Sequence, residues 1–426
     1  MDAKSRNGTD KEKVQEKQAS LQPSAGRDIS KLRKFGRWLR QHKLGGFSLC
    51  VLAFLGLIAI FADFLSPYAP GVQNEVQLSE KLEMIHRLTG KVVTRYARWV
   101  PPSQNIHFFD KMGLHWPYIC TLIKEKEWPS PSYKEDCAQK YPLRFFVHNP
   151  NYEYKFFGFF NLNVHLFGFT DPEAPLFGGT SVPEARFFLL GTDKLARDLL
   201  SRILYGTRAS LGISFAAVLM SLLFALPLGG LSGVLGKFSG YFGRAMDTLI
   251  WRMVEGVLTF PRLALLLIIA VLVREQSTRL FWIIFILAIF NSVSLAQILR
   301  GQVLAIGEAD YIEAARAQGA GHGRVIWRHI LPQTVSTIVV SATLAIPNLL
   351  MLESFLSYLG LGIEIKPSWG GLLKSINDVG PASLPYYPWL LFPAVAIFLT
   401  VLACTFLGDA LRDWFDPFSQ RQAKVG

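Results

Sequence analysis

The stretch Glu313-Ala314-Ala315-Arg316-Ala317-Gln318-Gly319, continued through His322 to Ile330-Leu331-Pro332, is a charged, glycine-punctuated segment between two long apolar runs, 280–299 and 335–359. Its local chemistry predicts a short helix, a turn and a second short helix. Asp310 is placed to cap the first helix, with Glu313 completing a capping box. Ala314, Ala315 and Ala317 favour helix and carry little bulk, so another protein can approach closely. Gly319 can take the left-handed conformation that ends a helix, Gly321 and Gly323 permit a bend, and Pro332 suits the first turn of the next helix. Two apolar runs joined by so elaborate a polar segment imply a membrane protein that presents something at one face.

Outward from this segment the apolar runs continue. With 44–65, 210–235, 253–273 and 389–407 they make six expected spans. The first alone covers about 33 Å as a helix, against a hydrocarbon core of about 30 Å. Its charge, Asp63, lies at the far end. Composition agrees, since half of the 426 residues are hydrophobic and the mean hydropathy is +0.27. The formal charge of +12 is therefore read as topology rather than as affinity for nucleic acid. Lys31, Arg33, Lys34, Arg37, Arg40 and Lys43 precede the first span, and Arg300, Arg316, Arg324 and Arg328 share a loop with the opening segment. Basic residues stay on the cytoplasmic side, so residues 1–43 form an expected cytoplasmic basic tail, and an even number of spans returns residues 411–426 to the same compartment.

Residues 67–190, between the first span and the rest, are mixed, aromatic and proline-rich, and long enough for a small extracytoplasmic domain. Positions 161–166 alternate with a period of two, which predicts a half-buried strand. Cys120 and Cys137 fall in this insert, hence in an oxidising compartment where a disulfide between them is expected; two unpaired buried thiols are the alternative. The four cysteines, Cys50, Cys120, Cys137 and Cys404, make no CxxC and the chain has no HExxH, so no metal site is expected. Glu255, Arg262 and Glu353 lie in or near spans, where charge is costly, and are expected to face the protein interior or an interface. Pro227, Gly229, Gly230, Pro261 and Pro347 interrupt spans, either to line a pathway or to let helices pack closely.

The run Glu313-Ala314-Ala315, three residues, Gly319, then Leu331-Pro332 resembles the EAA loop of permease subunits of bacterial ABC importers, the element that docks on the ATPase subunit. The resemblance assigns ATPase coupling to Asp310, Glu313, Ala314, Ala315, Gly319, His329, Leu331 and Pro332, with His329 standing where the family has isoleucine. A second stretch, Gly191-Thr192-Asp193 through Arg197-Asp198 and Ser201-Arg202 to Gly206, is similar to the GTDxxGRDxxSRxxxG signature of the dipeptide, oligopeptide and nickel permeases of the C type, with Ala196 replacing a glycine. It reads as an amphipathic helix over 191–209 lying on the outer membrane face, capped by Thr192 or Asp193. Gly408-Asp409, Arg412-Asp413 and Asp416-Pro417 resemble the family's C-terminal motif, with Cys404 and Thr405 where Phe and Asn are usual. Ser357 to Gly362 and Ser368-Trp369-Gly370 also match.

The resemblance implies an all-α polytopic membrane protein of the type I ABC importer permease class, with six transmembrane helices, a core of five of them in 210–410, and a mixed extracytoplasmic insert. It implies a homologous second permease, two ABC ATPase subunits and an extracytoplasmic substrate-binding protein as partners, in the bacterial cytoplasmic membrane. Gly236-Lys237 superficially matches a P-loop, but Phe238 and Leu231 replace residues that motif requires. ATP and Mg are thus expected in partner subunits, with no catalytic residue, cofactor or metal in this chain. The competing reading is a secondary transporter or membrane enzyme whose loop is only structural.

Overall fold

The computed structural model describes residues 42–73, 77–78, 100–102, 106–110, 113–126, 132–149, 152–156, 160–181, 186–238, 240–362 and 367–415. The basic tail up to residue 41 and the Asp416-Pro417 pair lie outside the described residues. Helix α1 (Lys43–Leu65) is followed by an insert of strands β1 (Gln77–Leu78), β2 (Ile106–Asp110), β3 (Gly113–Lys126), β4 (Ser132–His148), β5 (Tyr154–Phe156), β6 (Phe160–Leu162) and β7 (Val164–Phe169). The helical part resumes with α2 (Leu199–Phe238), α3 (Gly240–Leu258), α4 (Arg262–Leu272), α5 (Gln276–Gly307), α6 (Asp310–Ala317), α7 (His322–Val325), α8 (Leu331–Tyr358), α9 (Trp369–Val379) and α10 (Phe392–Phe415).

Five helical stretches are long and apolar enough to cross a membrane, and the α3–α4 pair, bent by 66°, makes a sixth. The sequence suggested one unbroken helix over 253–273. Pro261 explains the break: it lacks an N–H, disfavours helix at Phe260 before it, and caps α4 instead. The remaining spans follow from uninterrupted apolar sequence. Their common core gathers Ala217 and Val218 of α2, Leu266 of α4, Ile286, Leu287 and Phe290 of α5, and Ala345 and Leu349 of α8. Helices α2 and α5 approach to backbone contact, because a Cβ on Gly229 would stand 2.8 Å from Ala296 Cα and one on Gly233 would stand 2.9 Å from Val303 Cβ. Two glycines one turn apart thus make a groove for α5, the close-packing use of small residues in membranes.

In the insert, β3 and β4 form a long antiparallel pair, β2 and β1 flank β3, and the C-terminal half of β4 pairs with β7. The expected strand over 161–166 is interrupted at Asn163, which lies between β6 and β7 and gives its carbonyl to Asn149 N–H. Ile119, Tyr141, Phe169 and Phe187 form the insert core, with Tyr68 packed against it. The disulfide Cys120–Cys137 crosses from β3 to β4 with a Cα separation of 4.7 Å.

Candidate functional site

The described residues put the two groups of signature residues at opposite ends of the bundle. The loop that opened the sequence analysis lies where α2 and α5 end: Lys237 of α2 bonds Glu308, just past α5, at 3.0 Å. Helix α6 begins with Ala309 as its N-cap and makes no side-chain cap bond. The capping box expected from Asp310 and Glu313 is therefore not formed. Only Glu308 and Ala309 separate α5 from α6, and the Ala309 carbonyl itself accepts from Ile312 and Glu313 N–H. Asp310 and Glu313 instead place negative charge on the first turn, against the positive end of the helix dipole.

Ile312 anchors α6 from within. It is fully buried against Leu299 and Val303 of α5, Val325 of α7 and Ile330. Glu313, Ala314, Ala317 and Gly319 lie on the exposed side, while Ala315 is half-buried. Gly319 ends the helix with φ 85°, and Ala320 N–H reaches back to the Ala315 carbonyl, a left-handed C-terminal turn. No atom stands within 4 Å of a Cβ placed there, so backbone conformation and not space selects the glycine. A π-helical turn, Ile326–Ile330, leads directly into α8 with Pro332 in its first turn. The wider turn absorbs the ring of Pro332 and its missing N–H where an α-helical turn would clash. Leu331 and His329 are half-buried, and the His329 ring lies 6.4 Å from that of Tyr311. Tyr311 OH accepts from Gln333 Nε2 at 2.9 Å, and Trp327 is 74% exposed. The loop therefore has an apolar keel set in the bundle and a bare outer face of small and aromatic residues.

Sequence reading missed what stiffens the base of this loop. Arg300, seven residues before α5 ends at Gly307, donates to Asp247 of α3 from Nε (3.0 Å) and from a terminal nitrogen (2.6 Å). Asp247 is buried, Arg300 stacks on Trp251 at 5.2 Å, and Trp251 Nε1 donates to Ser232 of α2 at 3.0 Å. Three helices are tied together here. A lone carboxylate four residues ahead of a Trp, in a basic loop, was the available signal.

At the other end, the 191–202 signature is a hub and not the helix expected over 191–209. Asp193 accepts from Leu195 N–H (2.9 Å) and Arg197 N–H (3.0 Å), and Ala196 has φ 56°; this closes a turn that no helix can include. Helix α2 starts only after Asp198, whose Oδ2 accepts from Ser201 N–H at 2.7 Å as its cap. Arg197 (2.6 Å) and Arg202 (3.4 Å) both pair with the buried Asp193. Thr192 exchanges bonds with Val100, receives Trp389 Nε1 on its carbonyl at 3.1 Å, and lies beside Gly191, where a Cβ would meet the Trp389 ring. Ser201 Oγ accepts from Tyr68 N–H at 3.3 Å. Burial pushes the Asp198 carboxyl up to about 6, against the lowering pull of its bonds from Ser201 and Leu200.

A further set holds this end together. Glu353 of α8 is buried and accepts from Ser357 (2.7 Å) and Ser210 (3.4 Å), and Ser210 Oγ accepts from Trp369 N–H at 3.1 Å, which docks α9. Its interior position agrees with the expectation for an ionisable group in a span. Glu255, by contrast, pairs with Arg252 on the exposed face of α3 at 3.0 Å. In α10, Gly408 is buried against Leu344, whereas Asp409, Arg412 and Asp413 are exposed. Thr405 bonds its own helix at Val401 O (2.8 Å) and Cys404 is buried. In the insert, His107, Cys120, Glu135 and Cys137 bring their ligand atoms within 4.8 Å of one another. The sulfurs are joined to each other and are not thiolates, the form that binds metal, so the remaining pair is His107 Nε2 with Glu135 at 2.8 Å.

The apolar helices and the loop keyed into them define a polytopic membrane protein. Residues 225–421 match the family described as binding-protein-dependent transport system inner membrane component, and 30–81 match the N-terminal TM domain of oligopeptide transport permease C. The chain is 37% identical over 230 residues to the dipeptide transport system permease protein DppC of Alkalihalophilus pseudofirmus, covering 53% of this chain and 71% of that one. It is 34% identical over 237 residues to the oligopeptide transport system permease protein OppC of Bacillus subtilis (55% and 73%), and 39% identical over 229 residues to the glutathione transport system permease protein GsiD of Pectobacterium atrosepticum (54% and 72%). Among solved structures, the MetNI methionine ABC transporter in inward facing conformations aligns with a TM-score of 0.39 at 19% identity, over 48% of this chain and 94% of that one. The chain belongs to the family of binding-protein-dependent transport system inner membrane components, the permease subunits of ABC importers.

Proposed function

We propose that this permease imports peptides or similar small solutes as the C-type subunit of an assembly with a homologous second permease, two ABC ATPase subunits and an extracytoplasmic substrate-binding protein. Relatives named for dipeptide, oligopeptide and glutathione transport support the substrate class. Both termini and the 300–332 loop face the cytoplasm, and the insert lies outside. ATP and Mg are bound and consumed in the partner subunits; this chain carries no cofactor, metal or catalytic residue of its own, contacts membrane lipid and binds no nucleic acid.

The observation that carries the reading is the build of the α6–α7 loop, with Ile312 buried in the bundle and Glu313, Ala314, Ala317 and Gly319 exposed. A rigid lever of this kind transmits a push on its outer face to α5 and α8 together. Closure of the ATPases moves the loop, and the spans reorient around it. Single cysteines replacing Ala314 or Ala317, in a chain whose Cys50 and Cys404 are replaced by serine, should cross-link to the ATPase subunit in the assembled complex. Absence of any such adduct, with the complex intact, would contradict the assignment.

A further inference from the structure

The exposed aromatic patch of the insert adjoins the exposed apolar surface of the first span. On α1, Phe54, Leu57 and Phe61 are exposed at 62%, 53% and 37% and lie along one side of the helix. The helix kinks at Phe61, where φ is −95° and ψ 15°, and Phe64 follows three residues on, in the last turn before Ser66 ends the helix. Its ring lies 6.1 Å from that of Phe146 of β4. From there rings follow one another along the insert: Phe146 to Phe177 at 6.0 Å, Phe177 to Phe145 at 6.2 Å, and Phe145 to Trp116 at 6.2 Å. Yet Phe146, Phe177 and Trp116 remain 46%, 59% and 46% exposed.

This patch is built, not incidental. Phe146 holds φ 53°, a conformation that costs a bulky L-residue roughly 1–2 kcal/mol. Phe177 is carried on a segment bonded along β4 in both directions, with Phe145 N–H to the Leu176 carbonyl and Gly178 N–H to the Phe145 carbonyl, each 3.0 Å. Arg144 braces the same segment through the carbonyl of Ala174 at 3.0 Å. The insert is also fixed in height relative to α1. His165 bonds the Asp63 carbonyl at 3.2 Å, Arg208 pairs with the Asp63 carboxylate at 2.9 Å, and Tyr205, itself bonded to Tyr152, donates to that carboxylate. A rigid aromatic surface that starts from the exposed side of a candidate span, at the point where the span ends, lies at the level of the lipid headgroups, the depth at which aromatic side chains collect.

We propose that the insert rests on the outer leaflet through Phe146, Phe177 and Trp116, with lipid as the occupant of this patch. The domain then lies along the membrane beside α1. The test uses the assembled transporter in phosphatidylcholine–phosphatidylglycerol vesicles. Nitroxide labels are placed by Phe146→Cys, Phe177→Cys and, as an aqueous reference, Gln139→Cys, with Cys50 and Cys404 replaced by serine. Labels at 146 and 177 should relax several-fold more with oxygen than with a water-soluble nickel chelate, relative to the label at 139. Higher accessibility to nickel at 146 and 177 overturns the proposal. So does exclusion of both agents, or exclusion that arises only when the substrate-binding protein is added, since either puts protein on the patch. The unmodified chain gives an independent reading: a membrane-soluble photoactivated carbene should label peptides containing Phe146 and Phe177, and lack of labelling there, with α1 labelled, contradicts lipid contact.

Discussion

Ala196 sits at φ 56° and is buried, in a position where the signature it resembles has glycine. The left-handed conformation costs an alanine about 1–2 kcal/mol, part of which a glycine would give back as extra freedom of the unfolded chain. Ala196→Gly should therefore raise the thermal stability of the purified protein, by about 1 kcal/mol at most; a fall would show that the alanine methyl is worth more than the turn. Two residues on, Asp198 is held up to about 6 from an ordinary 3.8, chiefly by burial. A carboxyl raised in the folded state favours the folded state while neutral. That contribution is complete below about 3.8 and is lost as pH rises through about 6, amounting to up to about 3 kcal/mol. Asp198→Asn keeps an acceptor for Ser201 N–H and removes the titration, so its unfolding midpoint should lose this decline with pH while the parent chain keeps it. The glycine at 319 was legible because positive φ selects its residue type. Asp310 was not, because whether an acidic residue caps a helix or opens its first turn depends on where the preceding helix stops.

Among elements, the spans were readable because lipid demands uninterrupted apolar sequence, and that demand leaves a mark in every window. The bend between α3 and α4 was visible only as Pro261, and a proline in a span reports a perturbation without its angle. The 191–198 turn escaped because Asp193 satisfies backbone N–H groups locally, in competition with a helix that the apolar spacing favoured. Hardest to foresee was the Arg300–Asp247 pair, which joins residues far apart in sequence and is set by how α3 and α5 cross. Because Asp247 is buried and Arg300 is about a third exposed, removing only the cation should cost roughly 2–3 kcal/mol, less than a fully buried pair. Arg300→Gln should thus lower stability clearly, and Asp247→Asn combined with it should restore part of the loss in a double-mutant cycle. Strict additivity of the two changes would show that the pair does not brace the loop.

For the whole molecule, the bundle works as one body with a handle at each end. Asp193, Thr192, Trp389 and Glu353 lock α2, α8, α9 and the segment before α10 together beside the insert, while Ile312 and the Arg300–Asp247 pair lock the loop to α2, α3 and α5 at the other. The insert's existence could be read from its polar, aromatic composition. Its sheet could not, since pairing Gln77 with Ile123, or Phe145 with Phe167, is decided by contacts across long stretches of chain. The two family matches, 30–81 and 225–421, leave the insert strands β2 to β7 outside, so that domain lies apart from what the chain shares with those families. The act we propose for the loop is coupling, and the direct measurement is the ratio of solute taken up to ATP hydrolysed by the complete transporter in vesicles. With Glu313→Ala or Gly319→Leu, hydrolysis should continue while uptake falls at least about tenfold, a loss of about 1.4 kcal/mol or more in the coupled step. An unchanged ratio in both variants would contradict the account.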